Sequence, residues 1–196
     1  MTPLLKLSQG IDALNAFVGR IAFWLVLVMT VISAGNATVR FAFNYSSNGL
    51  LEIQWYLFAG IFLLCSAYTL QKNEHVRIDV LAGKLSPRGQ AVIDIIGTLF
   101  FLLPMVILIL WLAIPLVAES YKIQEHSANA GGLIRWPVKL ILPVGFTLLA
   151  LQGVSELIKR IAFLAGRIGD PAAKDKGPSA EEELAAEIAR QAQEKK

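Results

Sequence analysis

The residues of this sequence whose side chains could take part in metal chemistry are few and close together. Glu74, His75 and Asp79 lie within six positions of one another and could approach one ion. Nothing nearby completes a site with the usual number of ligands. We therefore interpret the three as a structural hydrogen-bonding cluster and predict no metal site.

The two histidines raise the question of haem ligation. Such a site needs histidines that face each other across a bundle of helices within the membrane. His75 and His126 both lie outside the long apolar runs and, by the charge pattern, on opposite sides of the membrane. A membrane anchor of a redox complex of the cytochrome type is kept as an alternative function.

Glu52 stands directly before the uncharged run 53–71. A carboxylate at this position could bind a proton or an ion, but negative charge is also favoured at a helix N-terminus. We prefer an interfacial or partner-contacting role, because the apolar runs hold no ionisable residue at their centres, where membrane ion sites usually carry one. The sequence contains no nucleophile–base pair, P-loop or Gly-rich dinucleotide motif, so we predict no enzyme and no cofactor.

The elements that hold these residues are long apolar segments. Of the 196 residues, 55% are hydrophobic and only 17% are charged, whereas about 25% are charged in soluble domains. Charged residues and histidines are absent from the runs 21–39, 53–71, 95–118 and 140–155. These lengths predict four transmembrane helices, because each run is far longer than a barrel strand. The first run is also longer than that of a signal peptide, so we expect it to remain as a helix.

The distribution of lysine and arginine predicts the orientation of the four spans. With the tail counted to Lys176, one set of alternate compartments holds eleven of these residues and the other holds four. The positive-inside rule therefore places both termini and the 72–90 connection in the cytoplasm. The connections 40–52 and 119–139 are expected to face outside.

The 72–90 connection has the pattern of a short amphipathic helix at the cytoplasmic interface. Its apolar face comprises Ile78, Leu81, Ala82 and Leu85, and its basic face Arg77, Lys84 and Arg88. Ser86 and Pro87 then have the types of an N-cap and a first helical position. A helix from Pro87 to about Ala118 would be roughly 48 Å long, so we predict that it is tilted and protrudes into the cytoplasm.

Together these patterns predict an all-α integral membrane protein with four transmembrane helices and a short interfacial helix between spans two and three. The predicted divisions are a cytoplasmic N-terminal segment 1–17, a membrane domain 18–165 and a charged cytoplasmic tail 166–196. The spans are expected at about 18–40, 53–71, 88–118 and 138–160. Lys159 and Arg160 are expected among the lipid headgroups, and Pro104 and Pro115 are candidate kink positions.

With four spans and both ends inside, the chain resembles the small membrane subunit of tripartite ATP-independent periplasmic (TRAP) transporters, the DctQ-like family. The resemblance covers roughly 15–165. Its specific parts are Glu52-x-x-Trp55 at the start of span two and the Asn73-Glu74-His75-Val76-Arg77-Ile78-Asp79 block after it. The segment 123–137 is similar to a feature of one subgroup.

The resemblance implies a non-catalytic small permease subunit in the bacterial inner membrane. In this family the small subunit scaffolds a large elevator-type subunit during sodium-coupled uptake of an organic acid, which a periplasmic binding protein delivers. The implied partners are the large permease, the solute-binding protein and membrane lipids, with no nucleic acid. An autonomous small channel or carrier is a further alternative.

We expect the docking of the large subunit, or of lipids around it, to use side chains at both ends of span two and in the connection after it. The residues are Glu52, Trp55, Glu74, His75, Arg77, Asp79, Lys84 and Arg88.

Overall fold

A computed structural model describes residues 3–45, 47–74 and 85–171, and its long elements there are all helices. They are α1 Pro3–Phe43, α2 Asn48–Gln71, α3 Pro87–Lys122 and α4 Trp136–Leu164. Each is long and apolar enough to cross a membrane. The all-α membrane fold with four spans is therefore confirmed. Most of the predicted interfacial helix falls on 75–84, outside the described residues.

The first helix is much longer than a bilayer requires. Its 41 residues extend over about 60 Å, whereas the hydrocarbon core is about 30 Å thick. Residues 3–17, predicted as a separate N-terminal segment, are continuous with the first span. We call the end of the bundle where α1 begins and α4 ends the terminal end. The other end, which carries the connections 44–47 and 123–135, is the loop end.

The start of α3 follows the prediction from the sequence. Pro87 occupies the first turn, and the Ser86 hydroxyl accepts a hydrogen bond of 3.2 Å from the Gly89 amide. This satisfies one of the amides that a helix N-terminus leaves without a partner, and proline has no amide to lose at that position.

The ends of α2, α3 and α4 share one local geometry. In each, a residue in the left-handed region follows the helix, and two amides bond back to carbonyls of the last turn. The left-handed residues are Asn73, Gln124 and Gly166. At α4, for example, the Gly166 and Arg167 amides donate to Phe163 and Ala162 over 2.9 Å. This motif stops α4 at Leu164.

A short π-helical segment, Thr98–Leu102, interrupts α3. The Leu103 amide donates to the Thr98 carbonyl, five residues back. Pro104 comes next, and proline lacks an amide and crowds the carbonyl four residues before it. A widened turn relieves this crowding. Pro115, in contrast, lies within a continuous α-helical stretch.

The fourth helix is the centre of the packing. It contacts α1, α2 and α3, and α3 packs mainly against α4 at one side of the molecule. In its most apolar stretch 39% of residues are buried, against 11–17% in the other three helices. The large apolar side chains of α1, α2 and α3 are mostly exposed. Such faces are suited to lipid tails or to the helices of a membrane partner.

Glycine allows α2 and α4 to approach closely. A Cβ atom added to Gly145 would lie 2.8 Å from the Leu63 carbonyl oxygen, which belongs to the backbone of α2. Gly19 of α1 is similarly crowded by the Tyr68 ring, at 2.7 Å from its Cγ. In membranes, where there is no hydrophobic drive between helices, close backbone approach provides much of the packing energy.

Gly145→Ala is expected to lower the thermal stability of the purified chain in detergent, because the two helix backbones must move apart. The cost of such overpacking is about 1–3 kcal/mol. Gly97→Ala is the matched control, since a Cβ there meets no atom within 4 Å. It should stabilise by about 0.5–1 kcal/mol through helix propensity. Equal melting temperatures for the two variants would contradict the close contact.

Candidate functional site

A buried carboxylate organises the loop end. Glu52, in the first turns of α2, is only 3% exposed. One carboxylate oxygen accepts hydrogen bonds from the Ser127 hydroxyl and, over 2.8 Å, from the Asn129 amide group. The other oxygen accepts from the Leu133 backbone amide over 2.7 Å. Glu52 therefore fixes the connection between α3 and α4 to the start of α2.

The connection 123–135 is also folded on itself. The Ser127 amide donates to Leu133 over 2.9 Å, and the Arg135 amide donates to Glu125 over 2.8 Å. A second contact to α2 comes from Asn48, whose side-chain amide donates to the Ala130 carbonyl over 3.0 Å. Backbone polar groups of the loop are thus satisfied by the chain itself, which stabilises one conformation.

His126 of this loop is engaged locally. Its ring Nδ1 lies 2.6 Å from the Gln124 carbonyl oxygen, so that nitrogen is occupied by a hydrogen bond to the backbone. In the part of the chain that the structure describes, no three histidine, cysteine, aspartate or glutamate side chains are grouped so that they could hold a metal ion.

Charge pairing secures the two ends of the same loop. Glu125 forms an ion pair with Lys139 and lies 3.7 Å from Arg135. The hydrogen bond from Lys139 is the main cause that holds the pKa of Glu125 below its ordinary value. Glu125 is consequently ionised at neutral pH, which keeps the start of α4 against the end of α3.

The terminal end contains a buried polar cluster between α1 and α4. Asp12 accepts hydrogen bonds from Gln152 over 2.9 Å and from Ser155 over 2.8 Å, and it pairs with Lys159 at 3.1 Å. The Asn15 amide group donates to Gln152 over 2.7 Å. These bonds join the first turns of α1 to the last turns of α4.

A second ion pair joins α3 to α4 at the same end. Arg160 lies 3.2 Å from the Asp94 carboxylate and 4.0 Å from Asp170. It is only 6% exposed, so the expectation that it lies among lipid headgroups is wrong. The acidic partners keep the guanidinium in the protein, where its charge is compensated.

The sequence analysis missed the terminal cluster, although a signal for it exists. Ser8, Asp12 and Asn15 recur at helical spacing on one face of α1. Gln152, Ser155, Glu156 and Lys159 recur in the same way on α4. Each polar stripe lies beside an apolar run, and the two stripes are at the same membrane depth. This pattern predicts that the polar faces of the two helices pack against each other.

The predicted docking residues divide between the two ends of α2. Glu52 and the exposed Trp55 lie near the loop end, whereas Glu74 and Arg88 are exposed at the terminal end. The backbone amide of Glu74 takes part in the cap of α2 by donating to Thr69 over 3.1 Å. The remaining predicted residues, His75, Arg77, Asp79 and Lys84, lie outside the described part of the chain.

Four apolar helices, held together at both ends by buried polar contacts, define a multi-pass membrane protein. The chain belongs to the family described as tripartite ATP-independent periplasmic transporters, DctQ component, whose sequence model matches residues 16–163. The resemblance noted from the sequence is thereby confirmed, and the family is one of transporter components.

One relative extends this comparison. A segment of 79 residues is 30% identical to the "Putative TRAP transporter small permease protein" of Haemophilus influenzae. The segment covers 40% of this chain and 49% of the relative, so the match spans about half the length of that protein. No solved structure matches the chain.

Glu52→Gln is expected to loosen the loop 123–135. The glutamine amide places an N–H donor where a carboxylate oxygen accepted a hydrogen bond, and the loop groups at that position are themselves donors. Leaving one such group without a partner costs about 1–3 kcal/mol. Hydrogen exchange of the loop peptide around Leu133, measured by mass spectrometry in nanodiscs, should therefore be faster in the variant by about fivefold to a hundredfold.

The matched control for this change is Glu119→Gln, which alters an exposed carboxylate at the same end of the molecule. Exchange in the loop should be unchanged in that variant. If both variants exchange alike, the Glu52 carboxylate does not hold the loop.

Proposed function

We propose that the chain is the small permease subunit of a TRAP transporter in the bacterial inner membrane. In this role it scaffolds a large elevator-type permease that takes up an organic acid together with sodium, delivered by a periplasmic binding protein. The observation that carries the proposal is the use of charged side chains. At the terminal end Asp12 pairs with Lys159 and Asp94 with Arg160, at the loop end Glu125 pairs with Lys139, and the helix faces between the ends are apolar.

This distribution favours a framework over a transport pathway. Ion relays and substrate sites within membranes usually place an ionisable side chain along the pathway. The runs 21–39, 53–71, 95–118 and 140–155 contain no charged residue and no histidine. Clusters such as Asp12–Lys159 and Asp94–Arg160 tie neighbouring helices together at a fixed spacing. A large permease that moves within the membrane would need such a fixed set of helices as its support.

The same proposal includes the orientation of the helices. The terminal end, which holds most of the lysines and arginines among the described residues, would lie in the cytoplasm, and the loop end would face the periplasm. The loop that Glu52 holds would then stand on the side of the binding protein. In this arrangement Trp55 is available to the large permease within the membrane, and Glu74 and Arg88 at the cytoplasmic interface.

Docking through the predicted interfacial segment remains part of the proposal. His75, Arg77, Asp79 and Lys84 would contribute from that segment. Glu52 would not contact the partner directly, because its carboxylate is enclosed by the loop. Its effect on a partner would be exerted through the loop surface that it positions.

Cysteine labelling tests the orientation. In a Cys65→Ser background, Ala130→Cys at the loop end and Arg88→Cys at the terminal end place single thiols at exposed positions. A membrane-impermeant maleimide added to spheroplasts should label Ala130→Cys at once and Arg88→Cys only after lysis. The opposite order of labelling would reverse the proposed orientation.

Reconstitution tests the function. Liposomes that contain this chain alone should show no uptake of radiolabelled dicarboxylates, keto acids or sugar acids. Liposomes with the large permease, this chain and the binding protein should accumulate one class under an inward sodium gradient. Omitting this chain should abolish or strongly reduce that uptake, because the elevator then lacks its fixed support.

Two outcomes would favour other functions. Uptake by the chain alone would indicate an autonomous carrier. A Soret absorbance band in the purified chain would indicate a cytochrome-type anchor, a function that the family match does not support.

A further inference from the structure

A cavity of about 650 Å³ at the loop end is lined by the last turns of α1 and the first turns of α2. Its polar side chains include those of Arg40, Asn44 and Gln54, and its apolar ones include Phe41 and Leu51. Among the described residues that line it there is one positive charge and no carboxylate. Such a lining is suited to a ligand that has both a negative charge and an apolar part.

Arg40 lies where the membrane interior meets the lipid headgroups. It directly follows the uncharged run 21–39, whose 19 residues extend over about 28 Å, close to the thickness of the hydrocarbon core. Tyr45, a little further along, is 63% exposed, and exposed tyrosines are typical of the membrane interface. The guanidinium of Arg40, which is itself exposed, therefore reaches the level of the lipid phosphates.

The charge of Arg40 is not compensated within the described part of the chain, where it forms no ion pair. Glu52, the acidic residue nearest to it in the sequence, is engaged by Asn129 and Leu133 of the loop. Arg160, in contrast, has Asp94 at 3.2 Å. An anion from outside the chain would complete Arg40, and the lipid phosphate is the anion that the bilayer supplies at this depth.

A second cavity, of about 550 Å³, continues the first toward the middle of α1 and contains no charged residue among its described lining. The residues that line both cavities are Ser33, Ala37 and Gln54. Met29 and Phe58 line only the deeper cavity. From Arg40 to Met29 the helix extends over about 16 Å, and one leaflet of the hydrocarbon core is about 15 Å thick. The two cavities together therefore match the length of one acyl chain below a phosphate.

The groove between α3 and α4 provides a contrast. Its described lining, which includes Val117, Leu140 and Val144, is almost entirely apolar and contains no charged side chain. Its Thr147 hydroxyl is already bonded to the Pro143 carbonyl over 2.7 Å. That groove can accept a lipid tail but offers no charged group that would select a headgroup. Of the two surfaces, only the one with Arg40 combines an apolar channel with a charge.

We propose that the two cavities between α1 and α2 bind one anionic phospholipid of the leaflet at the loop end. Its phosphate pairs with Arg40, Asn44 lies beside the headgroup, and one acyl chain follows α1 past Ala37 to Met29. A zwitterionic headgroup fits less well, because its ammonium group meets no carboxylate in the described lining. The site belongs to this chain alone, so it goes beyond the proposed function and does not depend on it.

Native mass spectrometry of the full chain in detergent, with phosphatidylglycerol added, tests the charge contact. Arg40→Gln should weaken binding of the first lipid by about tenfold to a hundredfold, since it removes a charge-assisted hydrogen bond. Lys122→Gln is the matched control: it removes the basic residue in the last turn of α3 at the same end, and that residue lines neither cavity. Equal binding by the two variants would overturn the proposal.

The headgroup preference is tested with phosphatidylcholine in the same measurement. The unmodified chain should bind phosphatidylglycerol more tightly than phosphatidylcholine, and Arg40→Gln should bind the two lipids alike. Equal affinity of the unmodified chain for both lipids would contradict an anion-selective site.

A bulky side chain at the junction of the cavities tests the path of the acyl chain. Phosphatidylglycerol should raise the melting temperature of Gly35→Trp but not that of Ala37→Trp, because a ligand stabilises only the fold that binds it. Position 35 is the control, since it lines neither cavity and a Cβ there meets no atom within 4 Å. Equal stabilisation of the two variants would show that the lipid tail lies elsewhere.

Photo-crosslinking in membranes that also contain the large permease identifies the occupant without a change of volume at position 37. A benzoylphenylalanine in place of Phe58 should form adducts with the mass of phosphatidylglycerol. These adducts should be enriched over those from position 111, where Trp111 is 74% exposed and lines none of the three cavities. Arg40→Gln should abolish the enrichment. Adducts from position 58 only with the large permease or with a second copy of this chain would overturn the proposal.

Discussion

The structure depends on one property of the bilayer, which is that lipid tails satisfy neither charges nor hydrogen-bonding groups. Charged side chains on a membrane helix therefore almost always pair within the protein or lie at its ends. In this chain, several charged side chains lie near the helix ends and are also paired there. Asp12 and Lys159 pair between α1 and α4, Asp94 and Arg160 pair between α3 and α4, and Glu52 binds the loop at the other end. The two ion pairs both involve α4, which also packs against each of the other three helices.

In such a bundle, polar contacts fix the helices to one another at both ends, and the apolar faces along the sides remain exposed. The close contact of Gly145 with Leu63 adds a further fixed point between α2 and α4. The exposed apolar faces along the sides can pack against lipid tails or against the helices of a membrane partner. Paired helix ends together with exposed apolar sides support the proposal that the chain acts as a scaffold for a membrane partner.

Comparison of the sequence with the structure shows which kinds of inference succeeded. The four spans and the Ser86–Pro87 helix start follow from residues close together in the chain, and both are present. The left-handed cap at Gln124 was not predicted, because glutamine carries no preference that marks such a position. The sequence analysis interpreted Glu52 as an interfacial or partner-contacting residue, and its hydrogen-bond partners in the loop lie about eighty residues away. No local pattern identifies them.

By itself the sequence determined that the chain crosses the membrane four times, because the apolar length of a helix is a local quantity that the bilayer thickness fixes. It also determined the family, whose sequence model matches residues 16–163. Only the tertiary structure decided which polar side chains meet. That Arg160 is buried against Asp94 rather than exposed to headgroups depends on which faces of α3 and α4 pack together. Such packing is set by the shapes of whole helix surfaces, which a linear pattern does not contain.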